Sequence, residues 1–242
     1  MTHPFLSIII PAHNEEVRLP HSLEQVYAFL NEQPYTSEVV VVENGSHDQT
    51  FLVGQEFARH VDNLRIIHLD ESGKGLAIRN GIFASSGQYR FIADADFSMP
   101  VEEINLFLPP ACDYDIAIAS REAPGAIRYN EPSFRHFIGR VFNLLIRLLV
   151  IPGLHDTQCG FKCFRGDVAE DIFSYQSLNG WSFDVEVLHV ARMHGWQITE
   201  IPIHWYYFPG SKVNILRDSV RMFVELLTIH RNARRGDYDR KS

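Results

Sequence analysis

The chain has 242 residues, with 22 Lys and Arg against 30 Asp and Glu, and a formal net charge of −8. Hydrophobic residues make up 45% of the chain and charged residues 21%, which excludes wholesale disorder and allows a sizeable core. The acidic balance argues against a nucleic-acid partner, because such a partner selects a basic surface.

The first half of the chain alternates between apolar runs and helical patterns. Strands are predicted at 5–10, 38–42, 64–69 and 89–93, and helices at 15–31, 48–60 and 74–86. Near-continuous apolar strands separated by helices are typical of a parallel sheet. Ligands of such sheets bind beyond the carboxyl ends of the strands, so the polar residues that follow each strand are candidate site residues.

The second half has a different pattern. Its predicted elements are a strand at 115–120, a loop at 121–132, helices at 134–150, 167–175 and 184–194, a strand at 197–203 and a helix at 214–231. Helix 134–150 has one polar and one apolar stripe, as an ordinary surface helix or an interfacial membrane helix would have. Residues 233–242 are a basic tail that we expect to be loose.

The ends and cysteines of the chain indicate its compartment. No apolar run is long enough to span a bilayer as a helix, and the first residues do not have the pattern of a signal peptide. Cys112, Cys159 and Cys163 are too few for a disulfide framework. We therefore expect a cytoplasmic protein that is not secreted.

Two carboxylates, Asp94 and Asp96, follow the fourth predicted strand with only Ala95 between them. Side chains two apart on an extended chain share a face, so both can approach one divalent cation while substrate phosphates complete its coordination. Such a cation stabilises the charge on a departing diphosphate. The alternative is a pair of solvated turn carboxylates.

A short glycine-containing segment, 72–75, begins the third predicted helix and includes Lys74. Glycines allow close approach of a ligand to the backbone, and a helix N-terminus favours anions. The alternative is a plain helix entry. Farther along, Asp184 and Glu186 lie near a helix start, where capping is one interpretation.

Four motifs occur in the first half of the chain: IPAHNEE at 10–16, VENGSHD at 42–48, GKG at 73–75 and DAD at 94–96. In order and spacing they resemble the family 2 inverting glycosyltransferases. Three further runs extend the resemblance over nearly the whole chain: DTQCGFK at 156–162, WSFDVE at 181–186 and PGSKV at 209–213. These are similar to the branch of dolichyl-phosphate and polyprenyl-phosphate glucosyltransferases and mannosyltransferases.

The resemblance implies an α/β GT-A fold, with a Rossmann-like nucleotide-binding half and a mixed, mostly parallel sheet flanked by helices. One domain would cover 1–232, with a nucleotide-sugar half at 1–120 and an acceptor half at 121–232. It also implies metal-dependent transfer of glucose or mannose, with inversion, from a nucleotide diphosphate sugar to a polyprenyl or dolichyl phosphate. UDP-glucose is the first expected donor, GDP-mannose the second, and Mg²⁺ or Mn²⁺ the expected metal.

The resemblance also assigns roles to individual positions. Residues matching the family's nucleotide-sugar pocket are Pro11, Ala12, Asn14, Glu15, Glu43, Gly45, Lys74, Asp94 and Ala95. Asp96, together with Asp94, matches the metal position. Residues matching those that contact the acceptor phosphate or the diphosphate are Arg121, Arg135 and Lys212. Asp156 matches the position often considered for a base, and with Arg121 and Arg135 it forms the predicted catalytic set.

Three positions depart from the family pattern. Glu43-Asn44 replaces a common Asp-Asp pair, Ser98 replaces a glutamine near the metal, and Gly139 replaces a serine of the mannosyl branch. A lipid phosphate is anionic near neutral pH and can attack without a strong base, so it needs positioning and charge balance. We therefore expect Asp156 to orient the site at least as much as to take a proton.

Positive charge collects in two segments, 121–147 with a net +3 and 211–242 with a net +4. This favours peripheral contact with the anionic cytoplasmic face of a membrane, directly or through a membrane partner protein or a homo-oligomer. Two other functions stay open: a family 2 transferase with a soluble or saccharide acceptor, and a non-catalytic nucleotide-sugar-binding protein. A nucleotidyltransferase is disfavoured, because no glycine-rich basic loop follows the first strand.

Overall fold

The computed structural model describes residues 3–132, 139–140, 143–144, 146–147, 150–207 and 215–240, with 215–220 described by backbone alone. The elements of its first half are β1 Leu6–Ala12, α1 Leu19–Asn31, β2 Ser37–Asn44, α2 Thr50–Ala58, β3 Leu64–Leu69, α3 Lys74–Ala84 and β4 Tyr89–Ile92. Each element that the sequence predicts in this half is present, with ends shifted by at most a few residues.

The second half contains more elements than its sequence predicts. They are a 3₁₀ helix Val101–Phe107, β5 Ile116–Ser120, β6 Ile127–Tyr129, β7 Lys162–Arg165, α4 Gly166–Ser174, α5 Phe183–Met193, β8 Ile198–Pro202, β9 His204–Tyr206 and α6 Ile215–Arg235. The 3₁₀ helix and three short strands, β6, β7 and β9, lie outside the predicted elements. Three or four residues are too few to set a periodic pattern.

The main sheet has seven strands in the order β3-β2-β1-β4-β7-β5-β8, and β6 and β9 form a separate parallel pair. Strand β7 runs antiparallel to both β4 and β5, whereas the other pairings of the main sheet are parallel. The predicted mixed, mostly parallel sheet is therefore confirmed. Because β7 lies between β4 and β5, it joins the two halves of the domain.

The apolar strands are buried on both faces of the sheet. In β1, Ile8 and Ile10 pack with α1 on one face, and Ile9 packs with α3 residues on the other. Side chains of a strand alternate between faces, so a strand covered on both sides is apolar at every position. Each fully buried isoleucine stabilises the fold by roughly 1.5–3 kcal/mol.

Strand β1 continues past Pro11 to Ala12, whereas the sequence predicts that the proline closes it. The Ile9 carbonyl accepts a hydrogen bond from the Ala93 N–H. The backbone N–H and C=O groups of Ile9, and of every second residue from it, therefore point towards β4. Strand β4 pairs with β1 only as far as Ile9, and Pro11 therefore lies beyond its end. Because no β4 residue pairs with Pro11, the N–H that proline lacks does not remove a hydrogen bond of the sheet. The polar residues that follow β1 therefore lie beyond the end of β4.

The C-terminal segment is docked, and the prediction that it is loose is wrong. Helix α6 extends to Arg235, and Tyr238 is only 1% exposed. Of helix 134–150, the described residues 139–140, 143–144 and 146–147 are helical. Within them Ile146 is buried and Leu144 is half exposed. Within the described part of the chain, no helix is both long and apolar enough to cross a membrane.

Candidate active site

A buried group of opposite charges lies where β4 and the start of α3 approach each other. The Lys74 ammonium is 2.5 Å from Asp94 Oδ1, and it lies 5.4 Å from the centre of the Trp181 ring. Burial lowers the pKa of Lys74, but the carboxylates of Asp94 and Asp184 outweigh it, and the pKa lies above its usual range. Lys74 is therefore a fixed positive charge beside the paired aspartates.

A second buried ion pair extends this group. Lys162 of β7 lies 2.8 Å from Asp184 of α5 and also donates a hydrogen bond to the carbonyl of Cys159. Burial raises the pKa of Asp184, although Lys162 and Lys74 oppose that rise. Asp184 lies in the first turn of its helix, as the sequence predicts, and its carboxylate is paired with Lys162. Together with Asp94 and Asp96, the group holds three carboxylates and two ammonium groups.

Asp96 is the member of the group without an ion pair in the part of the chain that the structure describes. Its Oδ1 atom is buried and has no hydrogen-bond partner among the described residues. Burial, and then repulsion from Asp94, raise the pKa of its carboxyl. A buried polar atom without a partner costs free energy, which a cation at that position would remove.

The residues present therefore fit a hard divalent cation. Within the described residues, no cluster of three or more His, Cys, Asp or Glu side chains could enclose a metal by itself. Mg²⁺ is commonly held by one or two carboxylates, with waters and substrate phosphates as its other ligands. Asp94 and Asp96 supply such a carboxylate pair.

Gly160 makes room for the Asp94 carboxylate. A Cβ atom added at Gly160 would overlap all three terminal atoms of the Asp94 side chain. This glycine lies just before β7, within the motif DTQCGFK at 156–162. The resemblance to the family predicts a role for Asp156 of that motif but none for Gly160. A side chain at position 160 would push Asp94 away from Lys74.

The residues after β1 form a hydrogen-bonded turn against the residues after β2. Asn14 has a positive φ of 52°, and its backbone N–H donates to the Ser46 hydroxyl oxygen at 3.0 Å. The Glu15 carboxylate accepts hydrogen bonds from Arg18 at 2.6 and 2.8 Å, and its backbone N–H donates to Thr50. Pro11 and Ala12 lead into this turn at the end of β1.

Glu43 ends β2 with a buried carboxylate that is 1% exposed. It accepts a hydrogen bond from the Ser46 N–H at 2.7 Å and one from the His68 imidazole. Burial raises its pKa, but these hydrogen bonds outweigh that effect and lower it. Gly45 follows in the left-handed region, with φ 63°. Glu43 is thus an ionised residue that fixes the turn 43–46.

The two glycines beside Lys74 serve packing. A Cβ at Gly73 would lie 2.6 Å from the Asn179 carbonyl, and one at Gly75 would lie 2.7 Å from the Leu178 carbonyl. The Leu76 N–H, in the first turn of α3, donates to the Asn179 carbonyl at 3.3 Å. The glycines therefore admit a neighbouring loop, and one of the amides that a helix N-terminus could offer an anion is already used.

Asp156 and Arg121 form a closed ion pair on the other side of β7. The Arg121 backbone N–H and Nε donate to Oδ2 at 3.0 and 2.7 Å, and Nη2 donates to Oδ1 at 2.9 Å. Burial raises the pKa of the fully buried Asp156 carboxyl, but Arg121 outweighs it and lowers the pKa to about 2. Such a carboxylate is a poor proton acceptor near neutral pH.

An aromatic ring lies beside the Arg121 guanidinium. It lies 5.4 Å from the centre of the Trp205 ring, and Arg128 lies 5.9 Å from the same ring. Trp205 donates from Nε1 to the Ser98 hydroxyl at 3.0 Å. Ser98 is two residues after Asp96, so this contact ties the acceptor-side aromatics to the carboxylate pair.

Three predicted features lie wholly or partly outside the described residues. Arg135 and Lys212 are outside them, as are residues 134–138, 141–142, 145 and 148–149 of helix 134–150. Their roles stay predictions.

Comparison with known proteins agrees with this arrangement. The model of the family named Glycosyl transferase family 2 matches residues 7–173, which include β1 to β4 and the Asp94–Lys74 pair. The chain belongs to this family. It is a glycosyltransferase by that membership.

Two curated relatives of this glycosyltransferase are dolichyl-phosphate beta-glucosyltransferases. The one from Homo sapiens is 34% identical over 240 residues, covering 93% of this chain and 74% of the human protein. The one from Dictyostelium discoideum is 29% identical over 240 residues, covering 93% of this chain and 73% of its own.

Solved structures share the fold at low sequence identity. Glucosyl-3-phosphoglycerate synthase from Mycobacterium tuberculosis, in complex with Mn²⁺, UDP and glucosyl-3-phosphoglycerate, has a TM-score of 0.68 and 13% identity. The match covers 93% of this chain and 80% of that one. A mannosyltransferase from Pyrobaculum calidifontis, in complex with GDP-Man and Mn²⁺, has a TM-score of 0.61 and 18% identity over 100% of this chain and 66% of that one. The GT-A fold class is confirmed.

Sequence reasoning missed three contributors to the site: Lys162, Gly160 and Trp205 in its contact with Ser98. A buried lysine in a four-residue strand has no periodic signal, and its partner Asp184 lies 22 residues away. The available signal for Gly160 and Lys162 is the motif at 156–162, which contains both. Its resemblance to the family holds for the whole run and predicts no role for either residue.

Proposed function

We propose that this glycosyltransferase moves glucose, with inversion, from UDP-glucose to a polyprenyl or dolichyl phosphate. The observation that carries the proposal is the state of Asp156, whose carboxylate is held by Arg121 with a pKa of about 2. A saccharide hydroxyl needs a base to remove its proton, whereas a phosphate monoester arrives with its negative charge. The 34% identity to the human dolichyl-phosphate beta-glucosyltransferase supports the same acceptor class.

On the donor side, Asp94 and Asp96 are the residues that would hold Mg²⁺ or Mn²⁺. A bound divalent cation supplies Lewis-acid stabilisation of the charge that builds on a departing nucleoside diphosphate. Lys74 adds a second, permanent positive charge beside Asp94. The pocket for the nucleotide would be formed by Pro11, Ala12, Asn14, Glu15, Glu43, Gly45 and Ala95.

On the acceptor side, Arg121 would bind the lipid phosphate through the guanidinium N–H groups that do not donate to Asp156. Its Nη1 atom has no hydrogen-bond partner within the described part of the chain. A guanidinium matches phosphate oxygens well, and the neighbouring Trp205 ring stabilises its charge. Arg135 and Lys212 are proposed as further phosphate contacts. Asp156 acts as a positioning residue for Arg121.

The acceptor requires contact with a membrane, and α6 is a suitable surface. Phe223, Val224 and Leu227 are 42%, 56% and 53% exposed, and the exposed Arg231 and Arg234 continue the same face at four and seven residues after Leu227. Apolar side chains beside arginines favour the interface of an anionic bilayer. We propose peripheral binding at the cytoplasmic face, directly or with a membrane partner protein or second copy.

The alternative is a family 2 transferase with a soluble or saccharide acceptor. Complete burial of helix 134–150 would have favoured it, but Leu144 in that helix is 51% exposed. The two functions also differ in the role of Asp156, because a saccharide acceptor requires a base and a phosphate acceptor does not.

A donor and acceptor panel tests the proposal. The purified chain is offered UDP-glucose, GDP-mannose or UDP-GlcNAc with Mg²⁺ or Mn²⁺, with and without a polyprenyl phosphate in mixed micelles. We expect a lipid-linked glucose from UDP-glucose, the β anomer by NMR, and no product with Asp96→Asn as the matched inactive control. Donor hydrolysis without lipid product under every condition would contradict the proposal.

Membrane contact is tested by sedimentation with vesicles of neutral or anionic lipid. Leu227→Ser is expected to lower the bound fraction on anionic vesicles. Leu52→Ser is the matched control, because Leu52 of α2 is 61% exposed, and Arg59, which lies seven residues after it, is paired with Glu56. Equal binding of the two variants would show that α6 is not the contact surface.

A further inference from the structure

A short loop, 176–181, covers the N-terminus of α3 beside Lys74. The Gln176 side-chain amide donates to the Gly75 carbonyl at 2.9 Å and to the Leu178 carbonyl at 2.8 Å. The Asn179 carbonyl accepts from the Leu76 N–H, and the Trp181 ring lies 5.4 Å from the Lys74 ammonium. Lys74 is thus enclosed between Asp94 on one side and this loop on the other.

The loop is held by the carboxylate of Glu186, which is 0% exposed. Its Oε2 accepts from the backbone N–H groups of Ser177 and Leu178 at 3.0 and 2.8 Å, and its Oε1 accepts from the Ser177 hydroxyl at 2.5 Å. Glu186 lies in the first turn of its own helix, as the sequence predicts, and its carboxylate binds the loop. None of its hydrogen-bond partners in the described residues is a cation.

The fourth hydrogen bond to Glu186 comes from the far end of the chain. The buried Tyr238 hydroxyl donates to Oε1 at 2.7 Å. Tyr238 is fixed in turn by its own carbonyl, which accepts from the His194 ring at 2.8 Å, while Arg240 lies 3.4 Å from Asp171. One carboxylate therefore connects the C-terminal segment to the loop over Lys74.

We propose that Glu186 and Tyr238 are positioning residues for the donor diphosphate. They hold the 176–181 loop against Gly73 and Gly75, and the loop keeps Lys74 on Asp94. This inference rests on the proposed function, because Lys74 is taken as a diphosphate contact. Docking of the C-terminal segment then sets the affinity for the nucleotide sugar through Glu186 and the loop.

Replacing Glu186 in two ways separates its charge from its geometry. Glu186→Gln keeps one oxygen for the two backbone N–H groups, and its amide can donate to the two hydroxyls, which can accept as well as donate. Glu186→Ala leaves both backbone N–H groups without a partner. We expect Glu186→Ala to raise the Kd for UDP-glucose with Mg²⁺ by about tenfold, and Glu186→Gln by less than about twofold.

Tyr238→Phe tests the C-terminal contact and guards against a Glu186→Ala variant that fails to fold. It removes one of four hydrogen bonds and keeps the ring, so a rise in Kd of about threefold to tenfold is expected. Tyr27→Phe is the matched control, because the buried Tyr27 hydroxyl has no hydrogen-bond partner in the described residues. It should leave the Kd unchanged.

Two measurements without donor separate positioning from general destabilisation. Amide hydrogen exchange at Ser177 and Leu178, and acetylation of Lys74 by acetic anhydride, are followed under conditions in which every variant is fully folded. Both rates should rise in Glu186→Ala and Tyr238→Phe and stay unchanged in Glu186→Gln and Tyr27→Phe.

The outcomes distinguish this inference from the proposed function. A lower thermal midpoint with unchanged Lys74 acetylation and unchanged Kd would overturn the positioning role. If the wild-type chain binds neither UDP-glucose nor GDP-mannose, the proposed function fails. The exchange and acetylation rates would then still decide whether Glu186 holds the loop on Lys74.

Discussion

The carboxylates on the proposed donor side and on the proposed acceptor side of the site have opposite electrostatic environments. On the donor side, Asp96 has a buried oxygen without a hydrogen-bond partner in the described residues and a raised pKa. On the acceptor side, Asp156 receives three hydrogen bonds from Arg121 and has a pKa lowered to about 2. Asp156 is fully buried, and the Oδ1 atom of Asp96 is buried as well, so burial alone does not decide the state of the two carboxylates.

The difference lies in whether the protein supplies enough positive charge. Asp96 belongs to a group of three carboxylates and only two ammonium groups, which leaves a deficit of positive charge that a ligand cation can fill. Around Asp156 the charge is balanced by the chain itself. The first arrangement is suited to binding a metal, and the second is suited to holding an arginine in place without exchanging protons.

The largest effect is expected for Asp96→Asn. Removing this charge should lower kcat/KM at least ~100-fold, because the metal position loses a carboxylate, yet stabilise the fold by about 1 kcal/mol, because a strained buried charge disappears. Urea unfolding and the transfer assay, run in parallel, measure both changes.

Asp62→Asn on the surface is the matched control, and it should change neither quantity. A loss of stability in Asp96→Asn would contradict the inference that the negative charge of Asp96 is not balanced by positive charge from the protein.

Gly160→Ala should be the next most damaging change. A Cβ there overlaps the Asp94 carboxylate, so Asp94 must leave Lys74, and we expect a loss of ~30-fold in kcat/KM and of about 2 kcal/mol in the free energy of unfolding. A double-mutant cycle with Asp94→Ala checks the cause. Once Asp94 is alanine, Gly160→Ala should cost little more; additive losses would place the clash elsewhere.

Asp156→Asn should weaken the fold in a pH-dependent way. Arg121 loses its charged partner, so the free energy of unfolding at pH 7 should fall by about 3 kcal/mol. The folded-state pKa of Asp156, about 2, is below the ordinary value of 3.8, so its contribution is present above about pH 4 and is lost as the pH falls toward 2.

The difference in the free energy of unfolding between wild type and Asp156→Asn should therefore decrease by about 2 kcal/mol as the pH falls from about 5 to about 2. Urea titrations at several pH values would measure it. With a phosphate acceptor, some transferase activity should survive in this variant. Complete loss of activity in a folded Asp156→Asn protein would favour a saccharide acceptor and a true base.

The smallest effect is expected for Ser98→Ala. It removes the acceptor of the Trp205 indole N–H, which ties the two sides of the site together, at a cost of about 1 kcal/mol in stability. We expect a rise of about threefold in the KM for the lipid phosphate with little change in the KM for the donor. An effect on the donor alone would mean that Trp205 belongs to the donor side.

Sequence patterns predicted the elements of the first half because β1 and β2 are apolar at nearly every position and their helices follow at regular intervals. The motif around Asp94 and Asp96 was equally visible. The contact of Gly160 with Asp94 was not, because a glycine has no chemical signal and 66 residues separate the two. Strand β7 was missed because Lys162 interrupts its apolar character, and its charge is balanced only by the distant Asp184.

Placing β7 between β4 and β5 has a consequence for the order in which the chain folds. Tyr89 of β4 pairs with Arg165 of β7, so a loop of more than seventy residues must close before this ladder can form. Until then β4 is an unprotected sheet edge, and Gly160 is not beside Asp94. We expect the nucleotide half to form early and the catalytic carboxylates to be set late, in a slow phase that mutations in β7 would lengthen.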